Sequence, residues 1–446
     1  MLEEYIKSYA NRKVGFVGVG ISNMPIIRLF SKHRINITVR DAKDITKGEF
    51  GEELASLGVE CFVGDKYLEG IDEDVLFLSP GVKQFMPEFK AAKSNGTVLT
   101  TEMQEFIKLC PCKTIGVTGS DGKTTTTTLI AKLLEAEGYT VHLGGNIGKN
   151  LFACLDDIKP DDYAVIELSS FQLMKMSVSP QIAVITNIAP NHLDWHGDME
   201  EYINAKRNIF AFQGNNGVCV FNLSNTVTNT LSSEYNGVLR SFGVGKGDYS
   251  IHSDGIYNGE KLILADDDIL LPGAHNRENF AAAIAATEGL VSIDSIKSLA
   301  KTFGGVEHRI ELVRELNGVK YYNSSIDSSP SRTKAALESF KNKLIVITGG
   351  YDKKIPLDPL GDLFKRKAKA VILMGHTGPK IKDILSECKY EGSVLEATDM
   401  WDAVSKAKAV AEVGDTVILS PAAASFDMFK NFAERGNIYK KLVNEL

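Results

Sequence analysis

The chain has 446 residues, 43% of them hydrophobic and 24% charged, with a formal net charge of −7. That balance is typical of a soluble globular protein of about three domains, and it excludes a basic footprint for nucleic acid or acidic lipid. The opening MLEEYIKSYANRK lacks the apolar core of a signal peptide, no run of about 18 apolar residues occurs, and the six cysteines show no C-x-x-C spacing. A cytoplasmic protein with reduced thiols and no membrane or nucleic-acid partner is expected.

Along the chain, apolar strand-like runs alternate with helical stretches, which predicts an α/β fold with mostly parallel sheets. The first block has strands at 14–19, 36–40, 75–79 and 97–99. Cys110 and Cys112 flank a proline at a domain junction. The second block opens at 114–118 and continues at 141–143, 163–168, 182–186 and 218–222. Between 224 and 272 the segments are short and turn-rich, predicting an antiparallel excursion, and a helix carrying ENFAAAIAA begins near Asn276. After Phe303-Gly304-Gly305 a third block has strands at 320–322, 344–348, 370–374 and 416–420. The domains expected are 1–100, 101–305 and 306–446.

Residues 116–128 read GVTGSDGKTTTTT, a β-branched strand running through a glycine loop into a helix with apolar Leu129, Ile130, Leu133 and Leu134. Gly119 and Gly122 allow backbone angles that turn successive N–H groups toward phosphate oxygens. Lys123 stands at the helix start, where the dipole and its ammonium both favour a polyphosphate, and Thr124 puts a hydroxyl where such loops hold Mg²⁺. The usual G-x-x-x-x-G-K-[ST] pattern needs glycine at 117, where this chain has Val117. The first block has its own glycine loop, GFVGVGISNMPIIRLF. Gly18-Val19-Gly20 opens a dinucleotide-type fingerprint with Asn23 at the third glycine position, and Asp41 ends the next strand where a ribose-binding carboxylate sits. A plain tight turn fits these residues as well. Ser79-Pro80-Gly81 turns at the carboxyl edge of the same sheet, where ligands bind in such folds. Two phosphate-type loops in two blocks point to an ATP-driven transferase or ligase.

Further motifs are GGNIG at 144–148, ELSSFQL at 167–173, NHLDWH at 191–196, AKR at 205–207, HNRENFAAA at 275–283, EHR at 307–309 and SPAAASFDMFKNFAERG at 420–436. Together with T-G-S-D-G-K-T at 118–124 they resemble, over essentially the whole length, the Mur ligase family, whose own loop accommodates Val117. The tail from Ser420 resembles that of the D-glutamate-adding members. The resemblance implies an N-terminal Rossmann-like UDP-binding domain, a central P-loop ATPase-type domain and a C-terminal Rossmann-like domain for the amino acid. It implies that ATP phosphorylates the free carboxylate of a UDP-muramoyl-alanine substrate. D-glutamate's amine then attacks the acyl phosphate through a tetrahedral intermediate. A monomer is expected. The loop alone also fits another amide ligase of this superfamily, or a nucleotide-binding regulator.

The resemblance implies a role for individual residues of this chain. Gly119, Ser120, Asp121, Gly122, Lys123, Thr124 and Thr125, with Asn279, Arg309 and Asp327, take ATP. Gly20, Ile21, Ser22, Asp41, Ser79, Pro80, Gly81, Asn146 and Ser169 take the UDP substrate. Ser328, Lys353, Ser425 and the backbone N–H of Phe432 hold D-glutamate. Thr124, Glu167, His192 and Lys206 (as a carbamate) are ligands for Mg²⁺, in two sites, and Lys123, His192 and Lys206 are catalytic. Read as bare residues, Lys206 in EEYINAKRNIF is a solvated helix lysine, Asn276 and Asn279 are helix caps, and Ser425 caps the MFKNFAERG helix. His192 and His196 stand four apart without a third zinc ligand, which leaves His196 to packing or surface. The chain departs from the family's N-D-S-K-A-T at Asn323-Ser324-Ser325-Ile326-Asp327-Ser328, with Asp327 as the substitute carboxylate and Ser328 as the substitute hydroxyl.

Overall fold

The computed structural model describes residues 2–20, 22–47, 50–271 and 273–446, and of Asp194 the backbone alone. Among the described residues the strands gather into three sheets. The first comprises β1 (Lys13–Val17), β2 (Asn36–Asp41), β3 (Glu60–Val63), β4 (Val75–Leu78) and β5 (Val98–Thr100), all parallel in the order β3-β2-β1-β4-β5. Val14, Phe16, Val39 and Phe77 join one apolar cluster while Val17, Leu76 and Leu78 join another. That alternation marks a parallel sheet covered on both faces. Arg40 is buried in an ion pair with Glu73 at 2.7 Å and also donates to the carbonyls of Tyr67, Glu69 and Gly70, which ties the segment before β4 to the sheet.

The second sheet holds β6 (Lys113–Thr118), β7 (Val141–Gly145), β8 (Tyr163–Glu167), β9 (Ile182–Ile185), β10 (Val218–Asn222), β11 (Val238–Val244), β12 (Tyr249–Ile251), β13 (Gly255–Asn258) and β14 (Lys261–Ala265). Their order is β14-β13-β12-β11-β10-β9-β6-β8-β7. The antiparallel part is narrower than the turn-rich sequence predicts. Only the β12–β13 and β13–β14 pairings are antiparallel, so β13 alone is reversed, whereas β11 pairs parallel with β10 and β12 with β11. The crossover between β10 and β11 is the helix Thr226–Ser232, whose TVTNTLS is too polar to read as a helix and is started by the Asn225 cap.

The third sheet holds β15 (Glu311–Leu316), β16 (Val319–Asn323), β17 (Leu344–Thr348), β18 (Ala368–Leu373), β19 (Ser393–Glu396) and β20 (Thr416–Leu419), in the order β15-β16-β20-β17-β18-β19. It is parallel except for the β15–β16 hairpin, closed by Asn317 and Gly318 at φ 52° and 76°. β3, β15 and β19 were not anticipated. Each is a half-exposed edge strand without the apolar run of a buried one.

The chain divides into two compact units, Met1–Asp267 with Arg277–Leu299 and Asp268–Asn276 with Ala300–Leu446. The first two sheets lie in the first unit and the third in the second. Among the described residues no helix is long and apolar enough to cross a membrane.

Candidate active site

β6 lies between β8 and β9, third from one edge of the second sheet, and its carboxyl end delivers the glycine loop where parallel sheets bind ligands. Gly122 has φ 77°, and a Cβ there would strike the Asn279 side-chain oxygen. The loop is fixed from below. Ser120 N–H donates to Asn187 O at 2.8 Å, Asp121 N–H to Asn187 Oδ1 at 3.0 Å, and Ser120 Oγ to Ala189 O at 2.9 Å. Lys123 opens the helix Lys123–Ala136, and its Nζ donates to the carbonyls of Gly119 (3.0 Å) and Ser120 (2.9 Å). Thr124 and Thr125 follow in the first turn, Thr124 half-buried and Thr125 buried. Asn279 belongs to the interior of the helix Ala274–Ala286 rather than its cap, and Thr126 Oγ1 donates to its Oδ1 at 3.2 Å, which sets the amide beside the loop.

Glu167 ends β8 and is buried. Its Oε1 accepts from Asn146 Nδ2 at 2.8 Å, while Oε2 is buried without a hydrogen-bond partner. A carboxylate oxygen left so is costly unless a cation completes it, so the donor set fits Mg²⁺. Lys206 is the largest departure from the bare-residue reading. It is 1% exposed, and its Nζ donates to Gly119 O at 2.7 Å. Burial, reinforced by Lys123, holds its ammonium well below the usual lysine range, with Asp121 and Glu167 pulling the other way. His192 is exposed in the left-handed region (φ 55°) ahead of the short helix Leu193–His196, with its ring 5.0 Å from Phe171. His196 is fully buried, stacked on Phe171 and bonded to Ser170 Oγ at 2.9 Å, so it is a packing residue. No group of three or more His, Cys, Asp or Glu side chains suited to a metal occurs among the described residues.

In the first sheet, Gly18 has φ 80°, and a Cβ there would strike the Ser79 hydroxyl, so the two loops lie against one another. Asn23, in place of the third glycine, is buried and donates to Gly18 O at 2.8 Å. Asp41 accepts from Val19 N–H at 2.8 Å and caps that loop. Gly20 has open space beside it, Ser22 O accepts from Asn150 Nδ2 at 3.0 Å, and Ile21 lies outside the described residues. Ser79 and Pro80 are half-buried and Gly81 is exposed. Ser169, two residues after Glu167, forms a capping box with Gln172.

In the second unit, Asp327 is buried and accepts from Ser420 Oγ at 2.8 Å; burial pushes its carboxyl up, opposed by Ser324, Ser420 and Arg309. Half-buried Ser328 follows it, and Lys353 is exposed. Ser425 is buried, but it does not cap the final helix. That helix is Phe432–Glu445, capped by Asn431, whose side chain accepts from Glu434 N–H at 2.9 Å. The intervening MFKN folds as a turn closed on Ser425 O, because Asn with Glu three residues on is the better start. Phe432 is thereby the first helical residue, a position whose N–H has no partner within the helix. Arg435, which sequence reasoning missed, is buried and donates to the carbonyls of Ser325, Ala423 and Ala424, holding the turn before Ser425.

Residues 117–287 match the Mur ligase middle domain and 308–423 the domain described as Mur ligase, glutamate ligase domain. The chain is 46% identical over 447 residues to UDP-N-acetylmuramoylalanine--D-glutamate ligase of Clostridium kluyveri, covering 98% of this chain and 97% of that one. It is 46% identical over 462 residues to the ligase of the same name from Acetivibrio thermocellus, covering 100% and 99%. Among solved structures, UDP-N-acetylmuramate-alanine ligase MurC from Thermotoga maritima shares the fold at 19% identity and TM-score 0.60, covering 97% of this chain and 99% of that one. MurF ligase from the same organism, in complex with ADP, does so at 19% identity and TM-score 0.56, covering 90% and 94%. The chain belongs to the Mur ligase family of ATP-dependent amide ligases.

Proposed function

We propose that this chain adds D-glutamate to UDP-N-acetylmuramoyl-L-alanine in peptidoglycan precursor synthesis, acting in the cytoplasm as a monomer built of domains 1–100, 101–305 and 306–446. The observation that carries this is the identity of 46% along the whole length to ligases named for that reaction. A carboxylate is a poor electrophile. Its oxygen attacks the γ-phosphorus of ATP, the bond to ADP breaks, and the acyl phosphate has a leaving group. The neutral amine of D-glutamate then attacks the carbonyl carbon, loses a proton, and phosphate departs with the C–O electrons. Phosphoryl transfer needs mainly positioning and charge neutralisation.

The loop Gly119–Thr125 with Asn279, Arg309 and Asp327 receives ATP, Lys123 countering the phosphate charge. Ser79, Pro80, Gly81, Gly20, Ile21, Ser22, Asp41, Asn146 and Ser169 receive the nucleotide sugar. Ser328, Lys353, Ser425 and the Phe432 N–H receive D-glutamate. Thr124, Glu167, His192 and a carbamylated Lys206 would hold Mg²⁺, in two sites, and Mg²⁺ when bound neutralises phosphate charge. The orphaned Glu167 Oε2 and the lowered ammonium of Lys206 support this reading. A neutral Lys206 amine attacks the carbon of CO₂ and sheds a proton, which turns a repelling cation into an oxygen ligand. The test is a scan of D-amino acids with phosphate release and product mass. D-glutamate alone should give the amide. A product with another amino acid, or none with D-glutamate, contradicts the assignment.

A further inference from the structure

Lys175 follows the helix Ser170–Leu173 and has no part in the chemistry above. Its ammonium donates to Ser79 O at 3.0 Å, Pro80 O at 2.5 Å and Phe171 O at 3.3 Å. Gln84 Nε2 adds a bond to Met174 O at 2.5 Å. All three ammonium donors thus end on backbone carbonyls. Two of these belong to the turn at the carboxyl edge of the first sheet. The third belongs to the helix capped by Ser169, whose Phe171 packs on His192 and His196.

We infer that Lys175 is a positioning residue for the nucleotide-sugar substrate, clamping the Ser79-Pro80-Gly81 turn of the first sheet to the helix beside the metal ligands. The inference rests on the proposed reading that this turn receives the UDP portion. Carbonyl oxygens carry partial negative charge and repel a pyrophosphate. Lysine draws two of them onto itself and leaves a positive charge behind the turn. The position is held at a cost, since burial lowers Lys175 to about 7 and no carboxylate offsets it.

The test measures binding of UDP-N-acetylmuramoyl-L-alanine by titration calorimetry, and the three Michaelis constants, for the unaltered full chain, Lys175→Met and Lys175→Arg. Lys175→Met should raise Kd and KM for the nucleotide sugar about tenfold, with kcat, KM for ATP and the melting temperature nearly unchanged, and Lys175→Arg should restore most of the loss. Lys175→Gln reads the same quantities if the methionine variant does not fold. An unchanged KM for the nucleotide sugar, or a parallel rise of all three constants with a fall in melting temperature, overturns the role. If the unaltered chain binds no nucleotide sugar, the proposed function falls with it. If it binds and turns over while the variants match it, only the positioning role falls.

Discussion

Lys123 and Lys206 both donate to the carbonyl of Gly119, at 3.0 and 2.7 Å. Two ammonium groups so close, one of them buried, favour loss of a proton from the buried one, and a neutral amine is what reacts with CO₂. Lys206→Ala should lower kcat/KM by about 100-fold or more, with partial rescue by a short carboxylic acid, and intact-protein mass should show the added CO₂ on the unaltered chain alone. No rescue and no added mass would assign Lys206 a role as a cation. Glu102 is a second buried ionisable group, with Oε1 unpartnered and its carboxyl pushed up by burial to about 7. Its folded value lies above its unfolded one, so stability is greatest below about 4.5 and is lost as pH rises toward 7. Glu102→Gln should flatten that slope and stabilise the fold at pH 8 by up to about 3 kcal/mol, read by denaturant unfolding.

Whether an element showed in the sequence depended on how completely it is buried. β6, β8 and β17 are enclosed and read as unbroken β-branched or apolar runs, whereas β3, β15 and β19 lie at edges and read as loops. The Asn317-Gly318 pair was a usable hairpin signal for β15 and β16 that strand counting passed over. Glycine spacing made the phosphate loop legible, because Gly122 must sit at positive φ. Gly122→Ala should cost about 1–2 kcal/mol in stability and raise KM for ATP at least about tenfold, since its methyl displaces Asn279. Asn431→Ala removes the cap of the last helix, for about 1 kcal/mol, and should raise KM for D-glutamate more than KM for ATP, because Phe432 is the first residue of that helix. Half-buried Lys175 and buried Lys206 were illegible as carbonyl-bound groups. Lys206 stands in a polar helix and Lys175 in a turn between two methionines, and only the tertiary fold places either among carbonyls.

At the scale of the molecule, alternating strands and helices showed three sheets, and motifs spread from the glycine loop to the tail showed the family. Departures from the family pattern were legible as changes but not in their effect. Asn23 turns out to bond the Gly18 carbonyl, and Asp327 is buried against Ser420. In a ligase of this kind ATP turnover is tied to amide formation. Phosphate release measured with UDP-N-acetylmuramoyl-L-alanine and D-glutamate, and again with each omitted in turn, tests that coupling. Release is expected only with both present, in step with amide product; sustained release without either substrate, and no amide, would rule the coupling out.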